Sequence, residues 1–264
     1  MLFYRFIIFC LFLFIIGPAV PVVAAKVPAI AAAADLKFAL AEVAARFSAE
    51  TGKKVRISFG SSGTFMTQIE QGAPFEIFLS ADENFVFRLA ERGLTEDRGA
   101  LYAIGQIVLF APMGSSLAVD PELRGLKSAL AAGSLRRFAI ANPEHAPYGR
   151  AARTALQSAG LWAEVAPRLV FGENAAQAMQ FAASGSAEGG IVPLSLVKAP
   201  ETAGLGHFAV IPQARHAAEP LRQRMVLLTG AGPVSRDFYR YLQTQVVREV
   251  LAGYGFVAPE EAGD

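Results

Sequence analysis

Apolar positions along this chain fall into two alternating rhythms, a strand period and a helical period, and the two trade places in order. Residues 26–34 are small and apolar and predict a buried first strand. Asp35 then stands where a helix N-cap belongs, and Leu36, Leu40, Val43 and Phe47 recur at spacings of four, three and four, which is one helical face. Thr51 and Gly52 close that helix, the glycine supplying the left-handed C-capping conformation. Val55, Ile57 and Phe59 alternate as a second strand and deliver the chain into Gly60-Ser61-Ser62-Gly63. Phe65, Met66 and Ile69 mark a short helix ended by Gly72, residues 76–80 a third strand, and Asp82 the cap of a helix running to about Arg92. Strand, helix, strand, helix, strand, helix predicts an α/β sheet of parallel strands with right-handed crossovers.

The pattern restarts further on. Residues 103–111 read as one long apolar strand with Gly105 and Gln106 inside it, followed by a loop and a helix over 123–132. A strand beginning at Phe138 runs into the rigid loop 142–149, Asn-Pro-Glu-His-Ala-Pro-Tyr-Gly, ahead of a helix over 150–159. Residues 169–171 lead through Gly172-Glu173-Asn174-Ala175 into a helix ending near Ala183, and 189–192 form a short buried strand that stops at Pro193. Residues 208–211 and 225–228 are strands, and Val234, Phe238, Tyr241, Leu242 and Val246 line one face of a C-terminal helix. Two α/β units result, with apolar stretches near 103–111 and 222–229 as the candidate crossings between them. No repeat, low-complexity tract or flexible linker separates the units, so the crossings form the hinge. Ligands of two-lobed architectures sit in the cleft, at strand C-termini and helix N-termini. The turn at 60–64 and the loops at 142–149 and 172–175 all occupy such positions.

The turn at 60–64 carries the most suggestive chemistry. Gly60 and Gly63 permit close backbone approach and unusual dihedrals, while Ser61, Ser62 and Thr64 supply hydroxyls. A strand handing over to a helix through such a turn aims unpaired N–H groups at one point, which attracts anions. An ordinary N-capped loop accounts for these residues equally well.

Composition narrows the classes. Residues 6–16 are an unbroken apolar run behind Arg5, broken by Gly17 and Pro18 and followed by the small-residue cleavage signature Val23-Ala24-Ala25. The run is too short to span a bilayer and has the layout of a secretory signal peptide over 1–25. Cys10, the only cysteine, lies inside it, so the mature chain is expected to hold no disulfide, thiolate nucleophile or cysteine metal site. About 239 residues then remain, enough for one large domain or two modest lobes. Without Arg5 the basic residues balance the 23 acidic ones and are scattered, unlike a nucleic-acid footprint. There is no Walker A loop, no dinucleotide fingerprint and no nucleophile elbow. The three histidines, His145, His207 and His216, lie in separate loops without metal-ligand spacing, and His145 is expected to brace its own loop. Binding is favoured over catalysis.

Several of these segments together carry a family resemblance: Ala31-Ala32-Ala33-Ala34-Asp35-Leu36, Phe59-Gly60-Ser61-Ser62-Gly63-Thr64, residues 68–74, Leu79-Ser80-Ala81-Asp82, residues 143–149 and Tyr254-Gly255-Phe256. Over nearly all of the mature chain the sequence resembles the periplasmic molybdate-binding proteins of ABC importers, within the two-lobed substrate-binding protein superfamily. The resemblance implies a type II periplasmic-binding-protein fold, each lobe a mixed, mostly parallel sheet flanked by helices. Lobe I would comprise 26–105 plus 224–258 and lobe II 106–223. It implies a monomeric, non-enzymatic periplasmic protein without a cofactor, whose ligand is molybdate or tungstate and whose partner is an inner-membrane permease. The anion would be held without basic side chains, by the hydroxyl of Ser62 with Ser61 as neighbour, by backbone N–H groups at Tyr148 and Ala175, and at the Asp35 junction.

Two positions depart from the family pattern. Asp35 stands where a serine is common, and Pro193 where a tyrosine hydroxyl is frequent. Asp35 is expected to cap its own helix and point away from the ligand; the competing reading is a protonated Asp35 donating a hydrogen bond. Pro193 has no donor, so either Ser195 or a water would take that role or the site would make fewer contacts. These departures keep a second binding class open, another tetrahedral oxyanion such as sulfate or a small carboxylate. A two-lobed enzyme of the porphobilinogen deaminase kind is disfavoured, since that chemistry needs a cysteine.

Overall fold

A computed structural model describes residues 27–259 of the chain. The segment expected to be a signal peptide, with Arg5, Cys10 and the cleavage signature, lies outside the described residues. The first half follows the predicted order: β1 (Ala29–Ala33), α1 (Lys37–Thr51), β2 (Arg56–Gly60), α2 (Ser62–Glu70), β3 (Ile77–Ser80), α3 (Glu83–Glu91) and β4 (Ala100–Ile104). Next come β5 (Ile107–Pro112), α4 (Arg124–Ala131), β6 (Phe138–Ala141), α5 (Pro147–Ser158) and α6 (Trp162–Val165). They are followed by β7 (Leu169–Gly172), α7 (Ala175–Ala183), β8 (Gly189–Pro193), α8 (Leu194–Val197) and β9 (Gly206–Val210). The chain then returns through β10 (Arg222–Leu227) to α9 (Pro233–Tyr241) and α10 (Gln245–Gly253).

The strands form two five-stranded sheets, ordered β2-β1-β3-β10-β4 and β7-β6-β8-β5-β9. In the first sheet β10 alone runs against the others, and in the second β5 does. Each lobe is thus a mixed, mostly parallel sheet with helices on its faces. Alternation along β1 and β3 sorts the first core into two layers. Ile30, Ala32, Ile77 and Leu79 pack with Leu40, Phe47 and Phe238, while Ala31 and Phe78 pack with Phe65, Val86 and Val226 on the other face. Burying each large side chain of this kind contributes about 1.5–3 kcal/mol.

Two predicted elements divide. The apolar stretch 103–111 is not one strand: β4 ends in the first sheet, Gly105 and Gln106 cross, and β5 begins in the second. Gly105 sits at a tight point, because a Cβ there would lie 2.3 Å from the Tyr148 hydroxyl. The return crossing precedes β10, between Ile211 and Leu221, so Arg222 and Gln223 already belong to the first sheet. The two crossings touch, with the Gly105 N–H donating to the Leu221 carbonyl at 2.8 Å. The C-terminal helix is in fact two: Phe238 packs from α9, and Val246 sits exposed on α10.

Candidate functional site

In both sheets the C-terminal ends of the parallel strands face the gap between the lobes and hand directly to helices. From the first lobe come a 3-10 turn (Ala34–Leu36) after β1 and the N-terminus of α2 after β2; from the second come the N-termini of α5 and α7. These four helical starts enclose one small cavity of about 10 Å³, lined by Ala33, Ala34, Asp35, Gly60, Ser61, Ser62 and Ala81 on one side and Ala146, Pro147, Tyr148 and Ala175 on the other. First-turn N–H groups have no acceptor in their own helix, and the dipoles add positive potential at the same point. Among the lining residues there is no Lys, Arg or His. The arrangement suits a compact anion held by neutral donors. The volume is that of one water-sized group, so a larger occupant holds the lobes slightly further apart.

Ser62 opens α2 and is buried; its hydroxyl accepts from the Ala81 N–H at 3.0 Å, which leaves its own proton free to donate. Ser61 is the N-cap residue of α2, yet its side chain makes no cap. It donates instead to the His145 carbonyl, and His145 Nδ1 lies 3.0 Å from the same hydroxyl. His145 therefore braces the opposite lobe rather than its own loop. Gly60 and Gly63 do not take the left-handed conformation. What Gly63 provides is proximity: its N–H donates to the His145 carbonyl at 3.0 Å, and a Cβ would stand 2.7 Å from that oxygen. Tyr148 follows Pro147 in the first turn of α5, and Ala175 is the first residue of α7, whose N-cap Asn174 accepts from the Gln177 N–H at 3.1 Å.

Asp35 overturns one expectation. It caps neither the 3-10 turn nor α1, because the chain leaves β1 through that turn and α1 begins only at Lys37, with Leu36 at its N-cap. The Asp35 side chain is buried, 1 % exposed, and reaches across the gap. Its Oδ2 accepts from the Tyr148 hydroxyl at 2.9 Å and from Gln223 Nε2 at 2.6 Å. Gln223 in turn accepts from the Tyr102 hydroxyl at 2.7 Å. Burial pushes the Asp35 carboxyl up to about 6, against the opposing pull of the Gln223 and Tyr148 hydrogen bonds. The Tyr148 and Tyr102 hydroxyls are raised well above their ordinary value, by burial first and by Asp35 second.

Pro193 and Ser195 do not line the cavity. Pro193 is the N-cap residue of α8, and the Ser195 hydroxyl is committed to the Asp35 carbonyl at 2.8 Å, so it ties the lobes rather than replacing a missing donor. Gln223 and Tyr102 were not singled out from the sequence; the one available signal was a glutamine inside an apolar crossing strand. Outside the cavity Arg150 bridges the lobes as well, pairing with Asp82 of the first and with Glu219 of the return crossing at 2.9 Å. A wider groove of about 790 Å³ adjoins at Ala34, between Lys37, Phe38 and Phe59 and the α7 face at Gln177 and Gln180.

Comparison with known proteins agrees with this architecture. Residues 29–257 match the family of bacterial extracellular solute-binding proteins. The molybdate-binding protein ModA of Rhodobacter capsulatus is 37% identical over 246 residues, covering 92% of each chain. That of Azotobacter vinelandii is 36% identical over 86% of this chain and 88% of its own. The solved structure of the Azotobacter vinelandii periplasmic molybdate-binding protein superposes with a TM-score of 0.80 at 29% identity, covering 88% of this chain and all of that one. The chain therefore belongs to the molybdate-binding protein family of the bacterial extracellular solute-binding proteins, a transport component rather than an enzyme.

Proposed function

We propose that this protein captures molybdate between its two lobes outside the cytoplasm and delivers it to the permease of an ABC importer, with tungstate as a second ligand. The observation that carries the reading is the convergence of four helical N-termini on one cavity without a basic side chain. Ser62 is the hydroxyl donor, and the N–H groups of Tyr148 and Ala175 are the donors from the other lobe. The lobes comprise about 26–105 plus 222–258 and 106–221, two residues earlier at the return than the sequence suggested because Arg222 and Gln223 pair with β4, and the leader is removed near Ala25.

Hydrogen bonds to a charged acceptor contribute about 1.5–3 kcal/mol each. Several of them, less the cost of immobilising the anion and closing the lobes, are consistent with micromolar to nanomolar binding. Sulfate has the same shape and charge but shorter bonds, so size is what discriminates. Titration calorimetry against molybdate, tungstate, sulfate, phosphate and chromate tests the assignment. Tight binding of the first two with much weaker sulfate is expected; no molybdate response below millimolar overturns it.

A further inference from the structure

We propose that Asp35 makes anion capture proton-coupled: the protein binds its oxyanion with Asp35 protonated, the Oδ1–H donating to an anion oxygen, so that one proton is taken up with each anion. The inference rests on the molybdate reading above and assigns a condition to that same site.

The geometry separates the two carboxyl oxygens. Oδ2 is saturated, receiving Tyr148 Oη–H and Gln223 Nε2–H. Oδ1 is buried and is, among the described residues, the only buried side-chain nitrogen or oxygen without a hydrogen-bond partner. A buried oxygen left unpaired is costly unless something meets it. Asp35 lines the cavity, so Oδ1 is the edge the carboxyl has left for an occupant. Because Oδ2 is held as an acceptor by two donors, a proton on this group resides on Oδ1. There it converts an acceptor that repels an oxyanion into a donor that binds one.

The charged and titratable groups around Asp35 are each engaged elsewhere, His145 Nε2 included, 3.6 Å from Glu173 Oε2. From α5 the titratable neighbour is Tyr148 and from β4 Tyr102, both held protonated by burial. From β10 Gln223 is neutral, and the flanking Arg222 and Arg224 are engaged with Glu83. From α8 Ser195 meets only the Asp35 carbonyl. From α2 and the loop before α5, Ser61 and His145 satisfy each other. On α1 Lys37 lies in the outer groove, 5.5 Å from the centre of the Phe38 ring. Asp82 beyond Ala81 is paired with Arg150. Burial already holds the Asp35 carboxyl near 6 without an anion, and an adjacent dianion raises it further. The proton passes from hydronium or a buffer acid in bulk solvent to Oδ1, the new O–H bond replacing the one broken in that acid, and the complex carries one negative charge less than carboxylate and dianion together.

The test is molybdate titration calorimetry between about pH 6.5 and about 8.5, repeated in buffers of different ionisation enthalpy. One proton taken up per anion makes the wild-type affinity fall about tenfold per pH unit once the free carboxyl is ionised. The buffer dependence of the heat then gives an uptake approaching one. Asp35→Asn presents a permanent donor and is expected to bind with no pH slope and no uptake. Molybdate binding by the wild type with a flat profile and zero uptake overturns the proton coupling while leaving the molybdate assignment standing. No molybdate binding by either protein at any pH overturns both. The wild-type proton count decides the matter alone if the variant does not fold.

Discussion

Gly63 of the first lobe and His145 of the second meet backbone to backbone, the glycine N–H donating to the histidine carbonyl at 3.0 Å. No side chain fits between them, since a Cβ on Gly63 would lie 2.7 Å from that oxygen. Gly63 lies in α2 with an ordinary helical dihedral, so alanine there suits the fold. Gly63→Ala is therefore expected to fold with unchanged or slightly raised thermal stability while failing to close. Small-angle scattering should show no contraction on adding molybdate, and affinity should drop by at least about tenfold, the equivalent of about 1.4 kcal/mol lost from closure.

Ser62 does two jobs, accepting from the Ala81 N–H and offering its proton to the cavity. Ser62→Ala orphans a buried N–H and removes an anion donor. Unfolding free energy should fall by about 1–3 kcal/mol, and affinity should fall by a further factor on the order of ten to a hundred. Denaturant unfolding and calorimetry on the same sample separate the two effects. An unchanged affinity would remove Ser62 from the site.

Arg150 fastens Asp82 to Glu219 across the gap, in a partly buried position. Arg150→Met keeps the stem packing and removes the charge. Burial, its largest influence, raises the Asp82 carboxyl even with Arg150 beside it; without the arginine it rises further. The variant is expected to release molybdate faster, with affinity reduced by about three- to thirtyfold, an effect that stopped-flow dissociation reads directly.

The raised Asp35 carboxyl also predicts how stability depends on pH. Its folded value, about 6, exceeds the ordinary 3.8, so between these two the folded state keeps a proton that the unfolded chain has lost. Stability contributed by this group is complete below about pH 4, falls as pH rises to about 6, and stays low above that. A shift of about two units corresponds to about 3 kcal/mol. Asp120 and Glu188 act oppositely, since backbone N–H groups, working against burial, hold both carboxyls low. The comparison is thus wild type against Asp35→Asn by urea unfolding at several pH values without anion. The variant should gain stability relative to wild type on passing from pH 4 to pH 7; parallel curves would show that Asp35 titrates normally.

The order of elements was legible because Leu36, Leu40, Val43 and Phe47, or Val55, Ile57 and Phe59, state their period locally. Gly52 takes the left-handed C-cap and Asp82 receives the Asn84 N–H at 2.9 Å, as their positions suggested. The failures were places where distant elements decide. Nothing near Gly105 shows that the strand changes sheets there, and the Tyr148 hydroxyl that leaves no room for a Cβ at the crossing lies far along the chain on α5. Asp35 has the local grammar of an N-cap, but donors from α5 and β10 recruit its carboxylate instead. A helix start can be read from neighbours in sequence, whereas the partner of a buried carboxylate is chosen by topology.

The position of β10 also dictates an order of assembly. It lies between β3 and β4, pairing Met225 with Leu79 on one side and with Ala100 on the other, yet it follows the whole second lobe in the chain. As the polypeptide emerges from its N-terminus, the second sheet can complete itself from the contiguous stretch β5 to β9, while the first must keep a central place open. The exposed flank of β3 is then a template for wrong pairing until Arg222–Leu227 arrives. Folding of this chain thus carries a period of vulnerability set by the length of its inserted lobe, a natural point for a chaperone to hold the unfinished sheet.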